Sequence, residues 1–454
     1  MLYHLIDNSV EFYKKRRIKS MPNRPKYLNQ LINAKHDGFP KVITGIRRCG
    51  KSYLLKELYR THLINEGVKE DNIIILELDD AKNAAYRNPL ALNEYILTKC
   101  SDKRRQFYVF IDEIQRVYTI VNPDLTDGKT VLAKEEDSEV ISFIDVTLGL
   151  SHESNIDLYI TGSNSKMLSS DIVTEFRDKA TEIHLQPLSF AEFCDWTKME
   201  KSEALYEYMQ HGGMPLAVLK SRDEKETYLK ELFKTTYFKD ILERKKLRRE
   251  EALDELCTIL ATCTGELLNA EKLSNTFHSK RKEKISKETV SSYIQAFEDA
   301  FIIREAKRYD LKGRNFINST RKYYFCDTGL RNARLDFMYP DEGQILENIV
   351  YNELVYHGYN VNVGCFDSVE KNENGKSVRK TYEVDFMATK GNETIYLQIT
   401  DNISDAQTKK REVRPFILLN DQIKKIIVIN RPVKETKDEN GFTIIGITDF
   451  LLGL

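Results

Sequence analysis

The fold of the first part of this chain is decided by the stretch Lys41-Val42-Ile43-Thr44-Gly45-Ile46-Arg47-Arg48-Cys49-Gly50-Lys51-Ser52. Four residues separate Gly45 from the run Gly50-Lys51-Ser52, which is the spacing of the phosphate-binding P-loop. The run Val42-Ile43-Thr44 before the loop favours a β-strand, and the segment from Tyr53 to Asn65 after it carries leucines at helical spacing. A strand, a glycine loop and a helix in this order predict a loop that binds phosphate groups.

The residues of this loop have distinct chemical roles. Its glycines let backbone N–H groups curl around phosphate oxygens, and the following helix adds its positive N-terminal end. We expect Lys51 to reach the β- and γ-phosphates of ATP and Ser52 to ligate Mg²⁺. For Cys49 a packing role is favoured over a redox role. The predicted nucleotide-binding set is Gly45, Arg47, Arg48, Cys49, Gly50, Lys51, Ser52 and Tyr53.

A second motif follows further along the chain, where the apolar run Phe107-Tyr108-Val109-Phe110-Ile111 ends in Asp112-Glu113. An unbroken apolar run is typical of a strand that is buried on both faces of a parallel sheet. Carboxylates at its end then lie where such sheets bind ligands. Taken alone the pattern also fits ordinary strand-end chemistry. Together with the P-loop, it predicts that Asp112 holds Mg²⁺ and that Glu113 orients or deprotonates the attacking water.

Further motifs carry a resemblance to a known family. They are Thr161-Gly162-Ser163-Asn164-Ser165, Pro187-Leu188-Ser189-Phe190-Ala191-Glu192-Phe193, Gly212-Gly213-Met214-Pro215, Lys322-Tyr323-Tyr324-Phe325, Asp327-Thr328-Gly329-Leu330 and Glu347-Asn348. With these motifs the chain resembles prokaryotic AAA+ ATPases whose C-terminal half is a domain of uncharacterised function related to restriction-type nucleases. The resemblance spans nearly the whole chain.

The resemblance implies two more catalytic residues. In AAA+ ATPases a polar residue after the third strand of this kind senses the γ-phosphate, and Asn164 is the first choice here, with Thr161 and Ser163 as rivals. These residues also suit the capping of the next helix. Arg177 stands where the family carries an arginine that can act as an arginine finger, although Phe176 replaces the glycine that usually precedes it. A surface arginine without a catalytic role is the other interpretation of Arg177.

The composition excludes several classes of protein. The chain has 69 Lys and Arg residues against 70 Asp and Glu residues, so any nucleic-acid surface must be local. Its 7 cysteines and 8 histidines are scattered and form no Cys-x-x-Cys pair, which argues against disulfides and structural zinc and predicts a cytoplasmic protein. No segment approaches the ~18 consecutive apolar residues of a membrane span, so we expect no contact with a membrane.

The alternation of strand and helix patterns predicts an α/β fold with several domains. We expect a P-loop domain with a parallel three-layer sheet and a helical lead-in at 1–190, followed by a helical lid-like region at 191–250. A winged-helix domain at 251–335 and a restriction-nuclease-like α/β domain at 336–454 complete the predicted organisation.

The predicted winged helix has a local excess of positive charge. Residues 270–335 contain 15 Lys or Arg and 8 Asp or Glu, a surplus of +7 within an almost neutral chain. A basic surface attracts the phosphate backbone of DNA. A winged helix that contacts a protein or packs between subunits is the alternative.

The C-terminal part resembles the site of restriction-type nucleases, in which a helix Glu, a strand Asp and a Glu/Gln-x-Lys motif bind Mg²⁺ and activate water. Glu347, Asp385 and Gln398 match the first three of these positions. Thr400 stands at the lysine position and has no positive charge to stabilise the negative charge that develops during phosphodiester cleavage. The resemblance therefore implies a vestigial nuclease site in a fold that binds DNA or another partner.

Two alternatives for the C-terminal part stay open. In one, an active nuclease obtains its missing positive charge from the next helix, at Lys409, Lys410 or Arg411. In the other, Glu383 and Asp385 are simply the solvent face of a hairpin, because residues two apart on a strand share a face.

These features together predict a Mg²⁺-dependent, ATP-binding AAA+ ATPase that couples its nucleotide state to a C-terminal module for DNA or a protein partner. The alternatives are a slow nucleotide-switched protein of assembly or defence, and an ATP-dependent nuclease. A homo-oligomer is also expected, because AAA+ modules usually place the nucleotide at a subunit interface.

Overall fold

The computed structural model describes residues 22–134, 136–162, 176, 179–238, 241–242, 250–281, 285–338, 341–371, 376–401 and 406–454. The chain divides into two compact units, and the division falls between Gln186 and Pro187. The finer boundaries near 190, 250 and 335 stay predictions. Within the described residues, no helix has both the length and the apolar character that a membrane crossing requires.

The first unit is built on a five-stranded sheet. Its strands and one separate short hairpin are β1 Lys41–Thr44, β2 Ile73–Glu77, β3 Phe107–Asp112, β4 Ile120–Val121, β5 Val140–Ile141, β6 Ile156–Thr161 and β7 Thr181–His184. The sheet has the order β2-β3-β6-β1-β7, and all its neighbouring strands are parallel. Strands β4 and β5 pair antiparallel and form the hairpin. The predicted α/β fold with a parallel sheet is confirmed.

Helices of the first unit cover both faces of this sheet. They are α1 Pro25–Asn33, the P-loop helix (Lys51–Tyr53, π-helical Leu54–Tyr59 and Arg60–Asn65), α2 Pro89–Lys99 and α3 Phe143–Ser151, with 3₁₀ turns at Glu70–Asn72, Ala81–Arg87, Ile114–Arg116 and Pro123–Leu125. Val109 and Ile111 of β3 pack in one core with residues of α2 and α3. Phe110 points the other way, and its ring lies 5.9 Å from that of Tyr59 on the P-loop helix. Alternate residues of one strand therefore serve two layers, as expected for a parallel sheet.

The helices of the second unit lie before, between and after its strands. These are α4 Phe190–Thr197, α5 Lys201–His211, α6 Pro215–Val218, α7 Arg222–Glu231 with a π-helical continuation Leu232–Phe238, α8 Glu250–Thr262, α9 Ala270–Arg281, α10 Lys287–Asp299, α11 Thr328–Arg334, α12 Glu342–Tyr356, α13 Ala406–Leu419 and α14 Ile447–Gly453. Ser286 caps α10, because its hydroxyl oxygen accepts a hydrogen bond from the N–H of Thr289. The Gly-Gly-Met-Pro and Asp-Thr-Gly-Leu motifs meet, because the N–H of Gly213 donates to Asp327 at 2.7 Å.

The second unit also holds an eight-stranded sheet. Its strands are β8 Ile303–Asp310, β9 Asn315–Phe325, β10 Asn360–Lys371, β11 Ser377–Lys390, β12 Glu393–Thr400, β13 Lys424–Ile429, β14 Thr436–Lys437 and β15 Thr443–Gly446. Their order is β14-β15-β13-β12-β11-β10-β8-β9. The winged-helix domain predicted at 251–335 implies a β-hairpin as its wing. Strands β8 and β9 form a hairpin in this segment, but it forms the edge of the sheet, because β8 pairs with β10. That pairing satisfies backbone groups that a free wing would leave to water.

Candidate functional site

The P-loop in the first unit has a backbone that only glycine can adopt at its first position. Gly45 has φ of +138°, and a Cβ placed there would lie 2.1 Å from the carbonyl oxygen of Leu185. Cys49 is buried, and its Sγ lies 3.5 Å from the same oxygen. The loop is therefore pressed against the chain that follows β7. This contact agrees with a packing role for Cys49.

Lys51 lies inside the curve of the loop. Its ammonium donates hydrogen bonds to the carbonyl oxygens of Gly45 at 2.9 Å and of Ile46 at 3.1 Å. The side chain is buried although it bears a full charge. A buried ammonium whose partners are weak neutral acceptors is well placed to exchange them for phosphate oxygens, which form stronger charge-assisted hydrogen bonds.

Ser52 and Asp112 meet beside the loop. The Oγ of Ser52 donates to Oδ1 of Asp112 at 2.9 Å. Thr161, at the end of β6, donates its hydroxyl to the same carboxylate oxygen. Asp112 is buried at the carboxyl end of β3, so its position is set by the sheet. The donor set of hydroxyl and carboxylate oxygens fits a hard cation such as Mg²⁺.

Glu113 follows Asp112 in a left-handed conformation, with φ of +57°. Its N–H donates to Oγ1 of Thr161 at 3.3 Å, and its carboxylate accepts a hydrogen bond from the side-chain amide of Gln115. A non-glycine residue at positive φ carries backbone strain, which is common at functional sites. The turn thus places Glu113 directly after Asp112, where its backbone contacts the end of the neighbouring strand β6.

Lys56 is a residue of this site that the sequence interpretation missed. Its Nζ lies 3.2 Å from Oδ2 of Asp112 and 2.9 Å from Oε2 of Glu77, which pairs with Asp112 across β2 and β3. Burial alone would lower the pKa of Lys56, but its hydrogen bond to Glu77 and the charge of Asp112 outweigh burial and raise it. The signal was in the spacing, because Lys56 follows Ser52 by four residues and shares its helix face.

The remaining predicted nucleotide residues vary in exposure. Arg48 is exposed at φ of +65°, and Arg47 and Tyr53 are half-buried. Gly50 caps the P-loop helix. Of the candidate sensors, Thr161 contacts Asp112 and Glu113, as described above. Asn164, Ser163 and Arg177 lie outside the described residues, so their predicted roles stay predictions.

A second cluster of charged residues lies in the second unit, where Lys322 of β9 contacts two carboxylates. Its Nζ lies 2.9 Å from Oε1 of Glu347 on α12 and 2.9 Å from Oε1 of Glu383 on β11. The hydroxyl of Tyr324 donates to the same oxygen of Glu347. Burial alone would lower the pKa of Lys322, but Glu347 and Glu383 outweigh burial and raise it.

The other two residues of the predicted nuclease site have different partners. Oδ2 of Asp385 accepts the N–H of Ile399 at 2.7 Å, and burial, followed by the charge of Glu347, raises the pKa of Asp385 well above its ordinary value. The amide nitrogen of Gln398 donates to Oε2 of Glu412 on α13 at 2.9 Å. Among the described residues, no group of three or more His, Cys, Asp or Glu side chains is arranged to hold a metal ion. Lys322 occupies the position between Glu347 and Glu383, where a metal-binding site of the nuclease type would hold its cation.

The comparisons with known proteins agree with the P-loop geometry. A family model described as an AAA domain matches residues 38–194, and a second model, described as a domain of unknown function, matches residues 202–341. A protein of Haemophilus influenzae described as uncharacterized is 31% identical over 439 residues, which cover 96% of this chain and 99% of that protein. The chain belongs to this family of AAA ATPases. The predicted ATP hydrolase of the P-loop class is thereby confirmed.

Two further similar proteins share less sequence identity with this ATPase. An uncharacterized protein of Methanocaldococcus jannaschii is 27% identical over 425 residues, which cover 90% of this chain and 84% of that protein. The solved structure of a Walker-type ATPase of Pyrococcus abyssi is 14% identical in sequence and has a TM-score of 0.45. The match covers 69% of this chain and 95% of the Pyrococcus abyssi chain. A TM-score of this size supports no argument about function. The likeness of residues 336–454 to restriction-type nucleases stays a prediction.

Proposed function

We propose that this ATPase hydrolyses ATP with Mg²⁺ and that its nucleotide state controls the binding of a partner, DNA in the first place, by the second unit. The contact between Ser52 and Asp112, beside the buried ammonium of Lys51, carries the first part of the proposal. It brings together the hydroxyl, the carboxylate and the cation that phosphoryl transfer requires.

Each residue of the site has one task in this reaction. Lys51 leaves the carbonyl oxygens of the loop and binds the β- and γ-phosphates, while the backbone N–H groups from Gly45 onward surround them. Ser52 and Asp112 hold Mg²⁺, which neutralises charge on the phosphate oxygens when it is bound. Glu113 accepts a proton from the attacking water, and Gln115 orients the Glu113 carboxylate.

Steady-state ATP hydrolysis tests these assignments. We expect Lys51→Ala to abolish hydrolysis, and Glu113→Gln to stop turnover while the protein still retains ATP. Lys69→Ala removes an exposed lysine of the same unit and serves as the control. Wild-type hydrolysis rates in Glu113→Gln would refute the assignment of the base. The wild-type turnover number also separates continuous hydrolysis from a slow nucleotide switch.

The proposal of DNA as partner rests on the basic character of residues 270–335, but not all of that charge is available. Lys322 is buried on its two carboxylates, and Arg331 is buried as well. Arg321 forms an ion pair with Glu305. The surplus counted in the sequence therefore overstates the charge of the surface.

Charge that stays exposed is found at the turn of the β8–β9 hairpin, which carries the exposed residues Lys312 and Arg314; the Lys312 ammonium also lies 4.7 Å from the centre of the Phe366 ring. The solvent face of α10 adds little charge, because its exposed residues include Ser291, Ser292 and Gln295. The hairpin turn is thus the part of this segment best suited to contact a phosphate backbone.

DNA-stimulated hydrolysis across a salt series tests this second part. We expect double-stranded DNA to raise the rate, the effect to fade as salt rises, and the double variant Lys312→Ala/Arg314→Ala to lose it. The control is Lys424→Ala, which removes an exposed lysine at the start of β13. If DNA leaves the rate of Lys51-dependent hydrolysis unchanged at every salt concentration, DNA is excluded as the partner. A protein partner or self-assembly would then remain.

A further inference from the structure

Two motifs that are far apart in the sequence meet in the second unit. Asn348 of α12 accepts the N–H of Phe325 at 3.0 Å and donates to its carbonyl oxygen at 2.7 Å. Its neighbour Glu347 accepts hydrogen bonds from Lys322 and Tyr324 on the same strand. Strand β9 is therefore fastened to α12 by a backbone clamp and, three residues away, by an ion pair.

The cluster resembles a metal-binding site in which the lysine ammonium occupies the position of the metal ion. Carboxylate oxygens of Glu347 and Glu383 both lie 2.9 Å from Nζ of Lys322. Lys322 is almost fully covered, with 4% of its surface exposed, so water contributes little to holding its charge. A buried ammonium needs such partners, because an unpaired buried charge is very costly.

The lysine reaches this cluster from an unexpected direction. A nuclease-type site would receive its lysine from β12, where Thr400 stands, whereas Lys322 comes from β9 at the edge of the sheet. The third predicted ligand, Gln398, donates from its amide nitrogen to Glu412, and its buried amide oxygen has no hydrogen-bond partner in the described part of the chain. Among the described residues the carboxylates of such a site are thus present, but the position between Glu347 and Glu383 is taken by Lys322.

We propose that Lys322 is the resident cation of this cluster, that it replaces a divalent metal, and that the cluster joins the β8–β9 hairpin to α12 and β11. The second unit then performs no metal-dependent phosphodiester cleavage. It holds the hairpin in a set position for binding a partner. This inference concerns the second unit alone and does not depend on ATP hydrolysis in the first.

Binding of Mn²⁺ tests the proposal. The full-length chain is used without nucleotide and with Ser52→Ala, so that the P-loop site lacks one ligand, and free Mn²⁺ is measured by electron paramagnetic resonance. We expect the Lys322→Met variant to bind about one Mn²⁺ per chain, because removal of the ammonium frees carboxylate oxygens for a divalent ion. The unmodified cluster, Lys322→Arg and the exposed-lysine control Lys424→Met should bind none.

Two results would overturn the proposal. One is Mn²⁺ binding with Lys322 in place that disappears in Asp385→Asn, and the other is a folded Lys322→Met variant that takes up no Mn²⁺. If Lys322→Met unfolds, the double variant Lys322→Met/Glu347→Gln tests the proposal instead, since it removes one positive and one negative charge. Its melting temperature should exceed that of the single variant, and failure to do so would also refute the ion pair as the reason for the lysine.

Discussion

Nζ of Lys56 lies 3.2 Å from Oδ2 of Asp112. The same ammonium lies 2.9 Å from Oε2 of Glu77, so it bridges two carboxylates at the ends of neighbouring strands. One of these, Asp112, also accepts the hydroxyl hydrogen bonds of Ser52 and Thr161. One positive charge of the chain thus already offsets part of the negative charge of Asp112 and Glu77 at the proposed Mg²⁺ site.

The first prediction concerns Lys56→Met. Without nucleotide, the variant should lose roughly 1–2 kcal/mol of unfolding free energy, because two neighbouring carboxylates then lose the cation that they share. With Mg²⁺ and ADP the deficit should shrink, because the metal supplies positive charge. Chemical denaturation with and without Mg²⁺-ADP measures both values. Lys56→Arg retains the charge and is the control, and a deficit that Mg²⁺-ADP leaves unchanged would contradict the interpretation.

The second prediction concerns the hydroxyl of Thr161. Thr161→Val preserves the shape of the side chain and removes the donor to Asp112, so we expect kcat to fall about 10-fold or more. Thr147→Val is the matched control, because Thr147 is also buried in this unit but donates to the carbonyl oxygen of Phe143 within α3. Both variants should lose about 1 kcal/mol of stability, but only Thr161→Val should lose activity. Equal kcat values for the two variants would exclude Thr161 from the reaction.

The third prediction isolates the close approach at Gly45. Gly45→Ala should cost about 3 kcal/mol or more, since its new Cβ combines a strained φ with a clash against Leu185. Gly67→Ala is the comparison, because Gly67 has φ of +92° and a methyl group placed there would meet nothing within 4 Å, so this variant should cost only about 1 kcal/mol. Thermal denaturation measures the difference, and equal costs would show that strain alone matters.

The fourth prediction is a pH dependence that originates at Glu207 in the second unit. Burial alone would raise the pKa of Glu207, but hydrogen bonds from His211 and Lys225 outweigh it and lower the pKa to about 2. Because the pKa of Glu207 is lower in the folded state, ionised Glu207 stabilises the protein at every pH above the ordinary pKa of 4.5. That stabilisation is lost as the pH falls toward 2.

The wild type should therefore lose its advantage over Glu207→Gln, by up to about 3 kcal/mol, as the pH falls from about 6 to 2. Unfolding free energies of both proteins across this range provide the test. Glu203→Gln removes an exposed carboxylate of the same helix and should run parallel to the wild type. A pH-independent difference between wild type and Glu207→Gln would show that the ion pairs contribute nothing.

The sequence predicted those elements whose patterns are local. Strand β1 contains the expected run Val42-Ile43-Thr44 and begins one residue earlier, at Lys41, and β3 extends by one residue, to Asp112. These strands can be predicted from the sequence because a parallel strand that is covered on both faces must be apolar throughout. The P-loop is readable for a similar reason, since its backbone requires glycine at fixed positions.

Contacts between distant segments could be predicted from the sequence to a much smaller extent. Lys56 could have been found from its helical spacing to Ser52, but its pairing with Glu77 required the order of the strands. The β8–β9 hairpin was expected, yet its pairing with β10 was not, because a strand pattern does not name its neighbour. The count of basic residues likewise could not show that Lys322 and Arg331 are buried.

The sequence by itself determined the class of this protein, because glycine, lysine and serine at P-loop spacing, with carboxylates after an apolar strand, already specify a nucleotide-binding α/β domain. Tertiary structure alone decided which charges meet. Lys322 and Glu383 are separated by 61 positions in the chain, and only the order of the sheet and the packing of α12 bring them within 2.9 Å. Ionic contacts depend on distance in space, and local sequence patterns carry no information about that distance.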